Sequence, residues 1–331
     1  MKRILSGIQP SGEVHLGNYI GAIQHWAAEQ DSKDCFYCIV DLHAITVPQD
    51  PKTLRGATLD LAATLIASGI DPERSTLFVQ SHVHEHTQLG WVLGCVATFG
   101  ELRRMTQFKD KSSKQKEGSA SVGLFTYPVL QAADILIYQA DEVPVGEDQR
   151  QHLELTRDIA ERFNSRYGET FVVPEASIPK VGAKILDLQT LQKMSKSADS
   201  PQGTVKVTDP PDAIRKKIKI AVTDSGRDVV ASDDKPAITN LLTIYSVASG
   251  RAVADLENEL AGKGYADLKS GLSDALIAFL EPIQKRYADL TSDTAELARL
   301  LEKGAEKAQA VASTTLRKVY DRVGFLPRIS N

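Results

Sequence analysis

The sequence contains few cysteines and no long apolar run. Its 331 residues include three Cys, which is too few for a disulfide framework and favours a reducing compartment. No run of about 18 apolar residues occurs, and the first apolar stretch, residues 4–8, is shorter than the hydrophobic core of a signal peptide. We therefore expect a cytoplasmic protein that has no membrane partner.

An excess of charge of one sign is also missing. The chain has 39 Lys and Arg residues against 43 Asp and Glu residues, a net charge of −4, whereas nucleic-acid-binding domains are often strongly basic. Residues 206–331 carry a net charge of +1 and residues 1–205 carry −5. The acidic excess thus lies in the N-terminal part, and the net charge alone does not decide the partner.

Strand and helix signals alternate in the N-terminal part. Buried strands are predicted at the apolar runs 4–8, 35–40 and 75–80, and helices at residues 16–29 and 52–68. This alternation predicts an α/β fold with a Rossmann-like, doubly wound parallel sheet. Because ligands of such sheets bind beyond the carboxyl ends of the strands, residues 7–12 and 41–47 are the first candidates for a site.

Helical patterns dominate after about residue 206. Helices are predicted at residues 214–221, 235–249, 251–260, 265–287 and 291–323. We therefore predict a Rossmann-like domain at residues 1–205 and an all-α domain at residues 206–331, and we allow for the last helix packing back on the first domain. Residues 189–204 are rich in Ser and Lys, which predicts a mobile loop.

Residues 9–18 connect the first strand to the first helix. The backbone amides at a helix start and the positive end of its dipole attract anions, and Gly12 and Gly17 let a ligand approach the backbone. His15 and Asn18 can hydrogen-bond to phosphate or ribose oxygens. The spacing matches neither the dinucleotide fingerprint nor the Walker loop, so by itself the segment is more often a structural turn.

Residues 193–197 read Lys-Met-Ser-Lys-Ser within the polar loop. Lys193 and Lys196 can neutralise a polyphosphate as point charges, and a loop allows them to move during a reaction. A solvated charged loop is the alternative interpretation of this composition.

A polar face also interrupts an apolar segment near residue 130. Tyr127, Gln131 and Asp134 follow the spacing i, i+4 and i+7, and Pro128 is predicted at a first helical position. Such a face indicates a pocket, and a solvated helix face is the alternative.

Together, residues 9–18 and 193–197 resemble the two signatures of class I aminoacyl-tRNA synthetases, the HIGH-type and KMSKS elements. The first reads His-Leu-Gly-Asn at residues 15–18, and its final Asn is a variant of the tryptophan branch. Segments similar to bacterial tryptophanyl-tRNA synthetases follow at residues 100–102, 105–109, 146–152, 155–164 and 178–185. The resemblance extends from Ile4 to about Ala308.

The resemblance implies the residues of two subsites. The implied ATP-binding residues are Gln9, Pro10, Ser11, Gly17, Asn18, Gly146, Glu147, Asp148, Ile185, Lys193, Met194, Ser195, Lys196 and Ser197. The implied tryptophan-binding residues are His43, Gln107, Tyr127, Gln131, Asp134 and Gln149. Asp134 would accept the indole N–H, and Tyr127 and Gln149 would hold the α-ammonium group. The family often has an apolar residue at the position of Gln131.

The resemblance further implies a reaction and its partners. The carboxylate of tryptophan attacks the α-phosphate of ATP in the presence of Mg²⁺, and tryptophan then passes to the terminal adenosine of tRNA. Lys193, Lys196, His15 and Asn18 are the implied catalytic residues. A homodimer is implied, with the helical domain reading the anticodon, and neither DNA nor a resident metal ion is expected.

Two other functions remain open on the sequence. A tyrosyl-tRNA synthetase shares the class and also uses an Asp, and a synthetase-derived protein can bind tryptophan or RNA without aminoacylation. The segments 9–12 and 146–149 favour tryptophan, and Lys193, Lys196 and Asp134 favour an enzyme.

Three further clusters have structural interpretations. His82, His84 and His86 alternate, but no second cluster completes a metal site. The spacing of Cys35 and Cys38 is that of a redox motif, although side chains three apart on a strand point to opposite faces. The basic run 215–219 is either a solvated helix face or a phosphate contact.

Overall fold

A five-stranded parallel sheet forms the centre of the molecule. The computed structural model describes residues 1–106, 121–146, 149–177, 185–194 and 202–327. The strands are β1 (Arg3–Ile8), β2 (Asp34–Ile39), β3 (Thr76–Val79), β4 (Glu142–Pro144) and β5 (Glu175–Ser177). They pair in the order β3-β2-β1-β4-β5, all parallel. The predicted doubly wound α/β sheet is confirmed, and its strand order reverses between β1 and β4, where such sheets bind ligands.

The first helix, α1, contains a change of helical type. It consists of Leu16–Asn18, a π-helical turn at Tyr19–Ile23 and Gln24–Glu29, which follow one another directly. The predicted helix at residues 16–29 is therefore present but is not α-helical throughout. A π-helical turn is often found at functional sites.

Helices cover both faces of the sheet and form the C-terminal region. In the N-terminal part they are α2 (Asp41–Ala44), α3 (Pro51–Ala67), α4 (Glu85–Gly94), α5 (Phe99–Arg104), α6 (Val122–Ile137) and α7 (Arg150–Tyr167). The later helices are α8 (Pro211–Lys219), α9 (Pro236–Ser249), α10 (Val253–Glu259), α11 (Tyr265–Ser292) and α12 (Thr294–Val323). The helices predicted after residue 206 are present, with ends displaced by a few residues. None of the helices in the described ranges is long and apolar enough to span a bilayer.

The two faces of the sheet belong to two hydrophobic cores. Along β2, Cys35 and Tyr37 lie in one core and Phe36 and Cys38 lie in the other, as the alternation of side chains on a strand requires. Both cysteines are free thiols, so the prediction that their sulfurs do not meet is confirmed. The first core also contains side chains of α8, α9 and α11, and the helical region thus packs on this face.

The last helix, α12, contacts both cores. Leu297 and Leu301 belong to the core that includes α11, whereas Ala308 and Leu316 belong to the opposite core. Between them the helix packs along β3, the edge strand. Residues 206–327 therefore share buried surface with both faces of the sheet.

Candidate active site

A cavity of about 390 Å³ opens where the strand order reverses. Its size is within the range of small-molecule sites. The lining residues come from the ends of β1, β2 and β4 and from α2, α6 and the start of α7: Leu5, Ser6, Gly7, Gln9, Cys38, Val40, His43, Tyr127, Gln131, Asp134, Ile135, Val143, Pro144, Val145 and Gln149. The location is the one expected from the strand order.

The structure brings together most of the residues that the sequence assigns to tryptophan. His43, Tyr127, Gln131, Asp134 and Gln149 all line the cavity. Gln107, the sixth, lies outside the described residues. A pocket-facing polar face on α6 is therefore observed, and a solvated face is excluded for Asp134, which is buried.

The prediction that Pro128 begins a helix is wrong. The helix α6 starts six residues earlier at Val122, where the hydroxyl of Ser121 accepts a hydrogen bond from the Leu124 amide at 3.1 Å. Pro128 thus lies inside the helix and donates no backbone hydrogen bond there. The long apolar segment and its N-terminal cap outweigh this loss, because nearly every later turn of α6 is buried.

Asp134 is buried but receives three hydrogen bonds. Its Oδ2 lies 2.7 Å from Nε2 of His43, and its Oδ1 lies 2.6 Å from Nδ1 of His86 and 2.7 Å from Nε2 of Gln80. Burial by itself raises the pKa of the Asp134 carboxyl, but the positive charge of His43 and the hydrogen bonds from both histidines outweigh it and lower this pKa. The cavity therefore contains an ionised acceptor.

His86 and Gln80 were not identified as site residues by the sequence reasoning. His86 belongs to the alternating histidines, of which His82 and His84 are exposed whereas His86 is buried. No group of three His, Cys, Asp or Glu side chains that could hold a metal ion occurs in the described ranges. The signal in the sequence was the position of residues 80–86 directly after β3, at the same edge as the site.

Tyr127 contributes a further buried polar group to the cavity. Its hydroxyl lies 2.8 Å from Nε2 of His152 on α7. Burial raises the pKa of the Tyr127 phenol to about 12, so the hydroxyl stays neutral and can both donate and accept. Near it, the amide groups of Gln131 and Gln149 lie 3.5 Å apart, and a polar contact thus occupies the position where the family often has an apolar side chain.

The two signature segments meet in the structure. A Cβ atom added to Gly17 would lie 3.3 Å from Cβ of Met194 and 3.1 Å from Nδ1 of His15. That Nδ1 accepts a hydrogen bond from the Asn18 amide at 3.1 Å, so the buried His15 caps α1. A side chain at position 17 would therefore crowd both His15 and Met194, and the glycine lets α1 approach Met194 closely.

Residues on both sides of the second signature are held by one carboxylate. The buried Asp187 accepts hydrogen bonds from the amides of Gln189 and Thr190, both at 2.9 Å, and from the hydroxyl of Thr204 at 3.2 Å. The backbone also pairs across this segment, because the amide of Leu188 donates to the carbonyl of Gly203 at 2.8 Å. The base of the loop is thus fixed at both of its ends.

The other residues assigned to ATP have varied surroundings. Gln9 lines the cavity, Pro10 and Ile185 are buried, and Ser11, Gly146 and Lys193 are exposed. The remaining assigned residues, Glu147, Asp148, Ser195, Lys196 and Ser197, lie outside the described residues. Oδ1 of Asn18 is buried and has no hydrogen-bond partner among the described residues, so the start of α1 contains an unused acceptor.

Comparisons with known proteins support the same family. The family described as "tRNA synthetases class I (W and Y)" matches residues 1–281. The "Tryptophan--tRNA ligase 2" of Streptomyces avermitilis is 58% identical over 328 residues, covering 98% of this chain and 97% of that protein. The tryptophanyl-tRNA synthetase structure from Mycoplasma pneumoniae has 39% identity, a TM-score of 0.87 and 98% coverage of both chains. That from Campylobacter jejuni, described as complexed with ADP and tryptophan, has 36% identity, a TM-score of 0.86 and coverage of 98% and 100%.

The fold, the paired signature segments and these similarities define the class. The chain belongs to the class I tRNA synthetases of the tryptophan and tyrosine group. The resemblance inferred from the two signatures is confirmed, and the relatives reported above carry the tryptophan name.

Proposed function

We propose that this protein is a tryptophan–tRNA ligase, which activates L-tryptophan with ATP and transfers it to the 3′-terminal adenosine of tRNA(Trp). The observation that carries the proposal is the buried Asp134 carboxylate in the cavity, in a chain whose two signature segments meet at Gly17 and Met194. An amino-acid pocket beside a nucleotide-binding helix start is the arrangement that adenylate formation requires. The identity of 58% to a curated tryptophan–tRNA ligase supports the choice of amino acid.

Asp134 suits an indole ring for a chemical reason. The indole N–H is a donor and has no acceptor capacity, and Asp134 is an acceptor within the cavity. A phenylalanine side chain would leave the buried carboxylate without this bond, which penalises the competitor. We propose that Tyr127 and Gln149 hold the α-ammonium group and that His43, Gln131 and Gln107 complete the pocket.

The first step joins tryptophan to AMP. A tryptophan carboxylate oxygen bonds to the α-phosphorus of ATP while the bond from that phosphorus to the bridging oxygen breaks and pyrophosphate leaves. A carboxylate is an anion near neutral pH, so the protein needs to align the reactants and stabilise negative charge. We propose that Lys193 and Lys196 stabilise the leaving pyrophosphate and that His15 and Asn18 orient the nucleotide at the start of α1.

We propose that Mg²⁺ arrives as a complex with ATP. No cluster of three metal-binding side chains is found in the described part of the chain. Mg²⁺ in nucleotide sites usually keeps several waters and binds phosphate oxygens, so the complex can be received without a cage of protein ligands.

The second step requires a surface for RNA, and we propose that the helical region, residues 206–331, supplies one as a separate domain. A groove of about 470 Å³ between α8 and α11 is lined by Arg215, Lys219, Tyr265, Ala266, Lys269, Ser270, Ser273 and Asp274. Its cationic side chains suit phosphates and its tyrosine suits an unstacked base. Within the basic run, Lys217 instead pairs with Asp209 at 2.5 Å, so only part of the run faces solvent.

We also propose a homodimer and a cytoplasmic location. Trp91 of α4, Phe99 of α5 and Val122 of α6 are 74%, 69% and 78% exposed, and α6 packs against both other helices. Exposed apolar side chains gathered on neighbouring helices are typical of protein interfaces, and a second copy of the chain would cover them. Three free cysteines suit a reducing compartment.

The decisive experiment is ATP–pyrophosphate exchange measured separately with tryptophan and with tyrosine. We expect exchange that depends on tryptophan, and charging of tRNA(Trp) when Mg²⁺ is present. Replacement of Asp134 by Asn should lower kcat/KM for tryptophan about 10- to 100-fold. The side-chain amide of Asn replaces one acceptor oxygen of the carboxylate with a donor, which cannot accept a hydrogen bond. Asp60→Asn, which alters an exposed carboxylate 3.2 Å from the hydroxyl of Tyr287, is the control. Exchange with tyrosine alone would identify the tyrosine branch, and tryptophan binding without exchange would identify a binding protein.

A further inference from the structure

The two carboxylate oxygens of Asp134 have unequal surroundings. Oδ1 accepts from Nε2 of Gln80 at 2.7 Å and from Nδ1 of His86 at 2.6 Å. Within the described ranges, Oδ2 accepts a single hydrogen bond, from Nε2 of His43 at 2.7 Å. Each oxygen of an ionised carboxylate offers about two acceptor sites. Oδ1 is therefore saturated, and Oδ2 can accept one more hydrogen bond.

The donors to Oδ1 are themselves fixed in orientation. Oε1 of Gln80 accepts a hydrogen bond from the Leu42 amide at 3.2 Å, so its Nε2 faces Asp134. Nε2 of His86 lies 2.7 Å from the hydroxyl of Tyr138. Nδ1 of His86 donates to the Asp134 carboxylate, which can only accept, and the other ring nitrogen shares a hydrogen bond with the Tyr138 hydroxyl. A chain of hydrogen bonds thus links Tyr138 through His86 to Asp134.

This chain lies behind the cavity. Asp134 and His43 line the cavity, whereas Gln80, His86 and Tyr138 are not among its lining residues and are fully buried. His86 is held by its ring contacts as well, since its centroid lies 5.3 Å from that of Tyr138 and 5.9 Å from that of Phe78. Any effect of His86 on a ligand therefore passes through Asp134.

We propose that His86, oriented by Tyr138, is a positioning residue for recognition of the substrate ring: with Gln80 it saturates Oδ1 of Asp134 and leaves Oδ2 as the oxygen that accepts the indole N–H. The inference rests on the proposed function, because it takes an indole as the occupant of the cavity. In this role His86 helps the enzyme distinguish substrates that have a ring N–H from those that lack one, and it takes no part in the reaction with ATP. A loss of His86 should therefore affect only substrates that possess the ring donor.

The test compares tryptophan with β-(benzothiophen-3-yl)alanine, in which sulfur replaces the ring N–H. ATP–pyrophosphate exchange is measured for the wild type and for the variants His86→Leu, His86→Asn and Tyr138→Phe. We expect His86→Leu to raise KM for tryptophan about tenfold, with KM for ATP unchanged and the kinetics of the analogue within about twofold of the wild type. His86→Asn, whose amide can replace the Nδ1 donor, should recover most of the preference for tryptophan. Tyr138→Phe should give a smaller loss of the same preference.

His84→Leu is the matched control, because His84 is exposed two residues away. Equal losses for tryptophan and the analogue in the His86 variants would overturn the positioning role, since a merely structural defect affects both. If His86→Leu does not fold, Tyr138→Phe carries the test, and an unchanged preference for tryptophan over the analogue in that variant would overturn the positioning role as well. Failure of the wild type to exchange with tryptophan would instead refute the proposed function.

Discussion

Gly304 of α12 lies so close to Leu77 of β3 that no side chain fits between the two backbones. A Cβ atom added to Gly304 would lie 1.8 Å from the carbonyl oxygen of Leu77 and 2.8 Å from its carbonyl carbon. β3 is the edge strand of the sheet, and α12 crosses it here between the two hydrophobic cores. The glycine therefore sets how closely the last helix packs on the sheet.

We expect Gly304→Ala to destabilise the protein by about 2–3 kcal/mol. Alanine favours a helix over glycine by roughly 1 kcal/mol, but here its methyl group must push α12 away from a strand backbone that cannot yield. Urea denaturation followed by circular dichroism measures the difference in the free energy of unfolding.

Gly56→Ala is the control for this substitution. Gly56 is exposed within α3 and an added Cβ atom meets nothing within 4 Å, so the same change should stabilise by about 0.5–1 kcal/mol. Stabilisation by both substitutions would contradict the close packing of α12 on β3.

The fold was predictable where local periodicity decides the structure. The apolar run that contains Cys35 and Cys38 predicted a strand buried on both faces, and the two thiols do lie in opposite cores. The sequence predicted which side of the helix containing Asp134 faces the pocket, but it did not predict where this helix begins. Pro128 is a local signal for a first turn, and the apolar burial of α6 outweighs it.

The supporting residues of the candidate site were harder to predict. His86 and Asp134 are separated by 48 residues in sequence yet share a hydrogen bond of 2.6 Å. Nothing in the local pattern distinguishes His86 from the exposed His82 and His84. Only the packing of α4 on α6 selects which histidine is buried against the carboxylate.

A pH-dependent ion pair stabilises the start of α5. Glu101 accepts from the Thr98 amide and hydroxyl, each at 2.8 Å, and pairs with Arg162 of α7. The hydrogen bond from Arg162, opposed by burial and aided by Thr98, lowers the pKa of Glu101 to about 2. Since the folded-state pKa is below the unfolded value of about 4.3, this contribution is complete above the unfolded pKa and is lost as the pH falls towards 2.

We therefore expect Glu101→Gln to lower the free energy of unfolding by about 2 kcal/mol at pH 7. The difference from the wild type should shrink between about pH 5 and pH 3, as the wild-type carboxylate loses its advantage. Denaturant titrations at several pH values measure this. Glu161→Gln alters an exposed carboxylate 3.9 Å from Arg157 and should change little at any pH, and a difference for Glu101→Gln that does not depend on pH would refute the role of the ionised pair.

The base of the second signature loop offers a kinetic prediction. A Cβ atom on Gly203 would lie 2.1 Å from Oδ1 of Asp187, so Gly203→Ala must displace the carboxylate that holds Gln189 and Thr190. We expect kcat for pyrophosphate exchange to fall about tenfold, while KM for tryptophan stays nearly constant. The reason is that a displaced loop base no longer holds Lys193 in position to stabilise the leaving pyrophosphate. Gly94→Ala, at an exposed helix end with nothing near its added Cβ, should have no effect. An equal rise in KM for tryptophan would place the damage in the amino-acid pocket.

The groove between α8 and α11 predicts a selective loss in aminoacylation. Lys219 lines this groove, whereas Lys216 is exposed on the same helix outside it. We expect Lys219→Glu to raise KM for tRNA about tenfold and to reduce the slope of log KM against log salt concentration by about one, as loss of a phosphate contact does. Pyrophosphate exchange should be unchanged. If Lys216→Glu has the same effect, the basic surface of α8 as a whole contributes to tRNA binding, and the groove is not a specific binding site.

Trp91 provides the test of self-association. Its side chain on α4 is 74% exposed, and that of Phe99 on α5, whose ring lies 5.0 Å from that of Phe125, is 69% exposed. We expect the wild type to sediment as a dimer and Trp91→Asp to sediment as a monomer, because an interface that buries this side chain would have to desolvate a charge. Leu326→Asp is the control, since Leu326 is 95% exposed beyond the end of α12, and it should leave the dimer intact. A wild-type monomer at micromolar concentration, or a dimer that persists in Trp91→Asp, would show that these apolar side chains are not covered by a second copy of the chain.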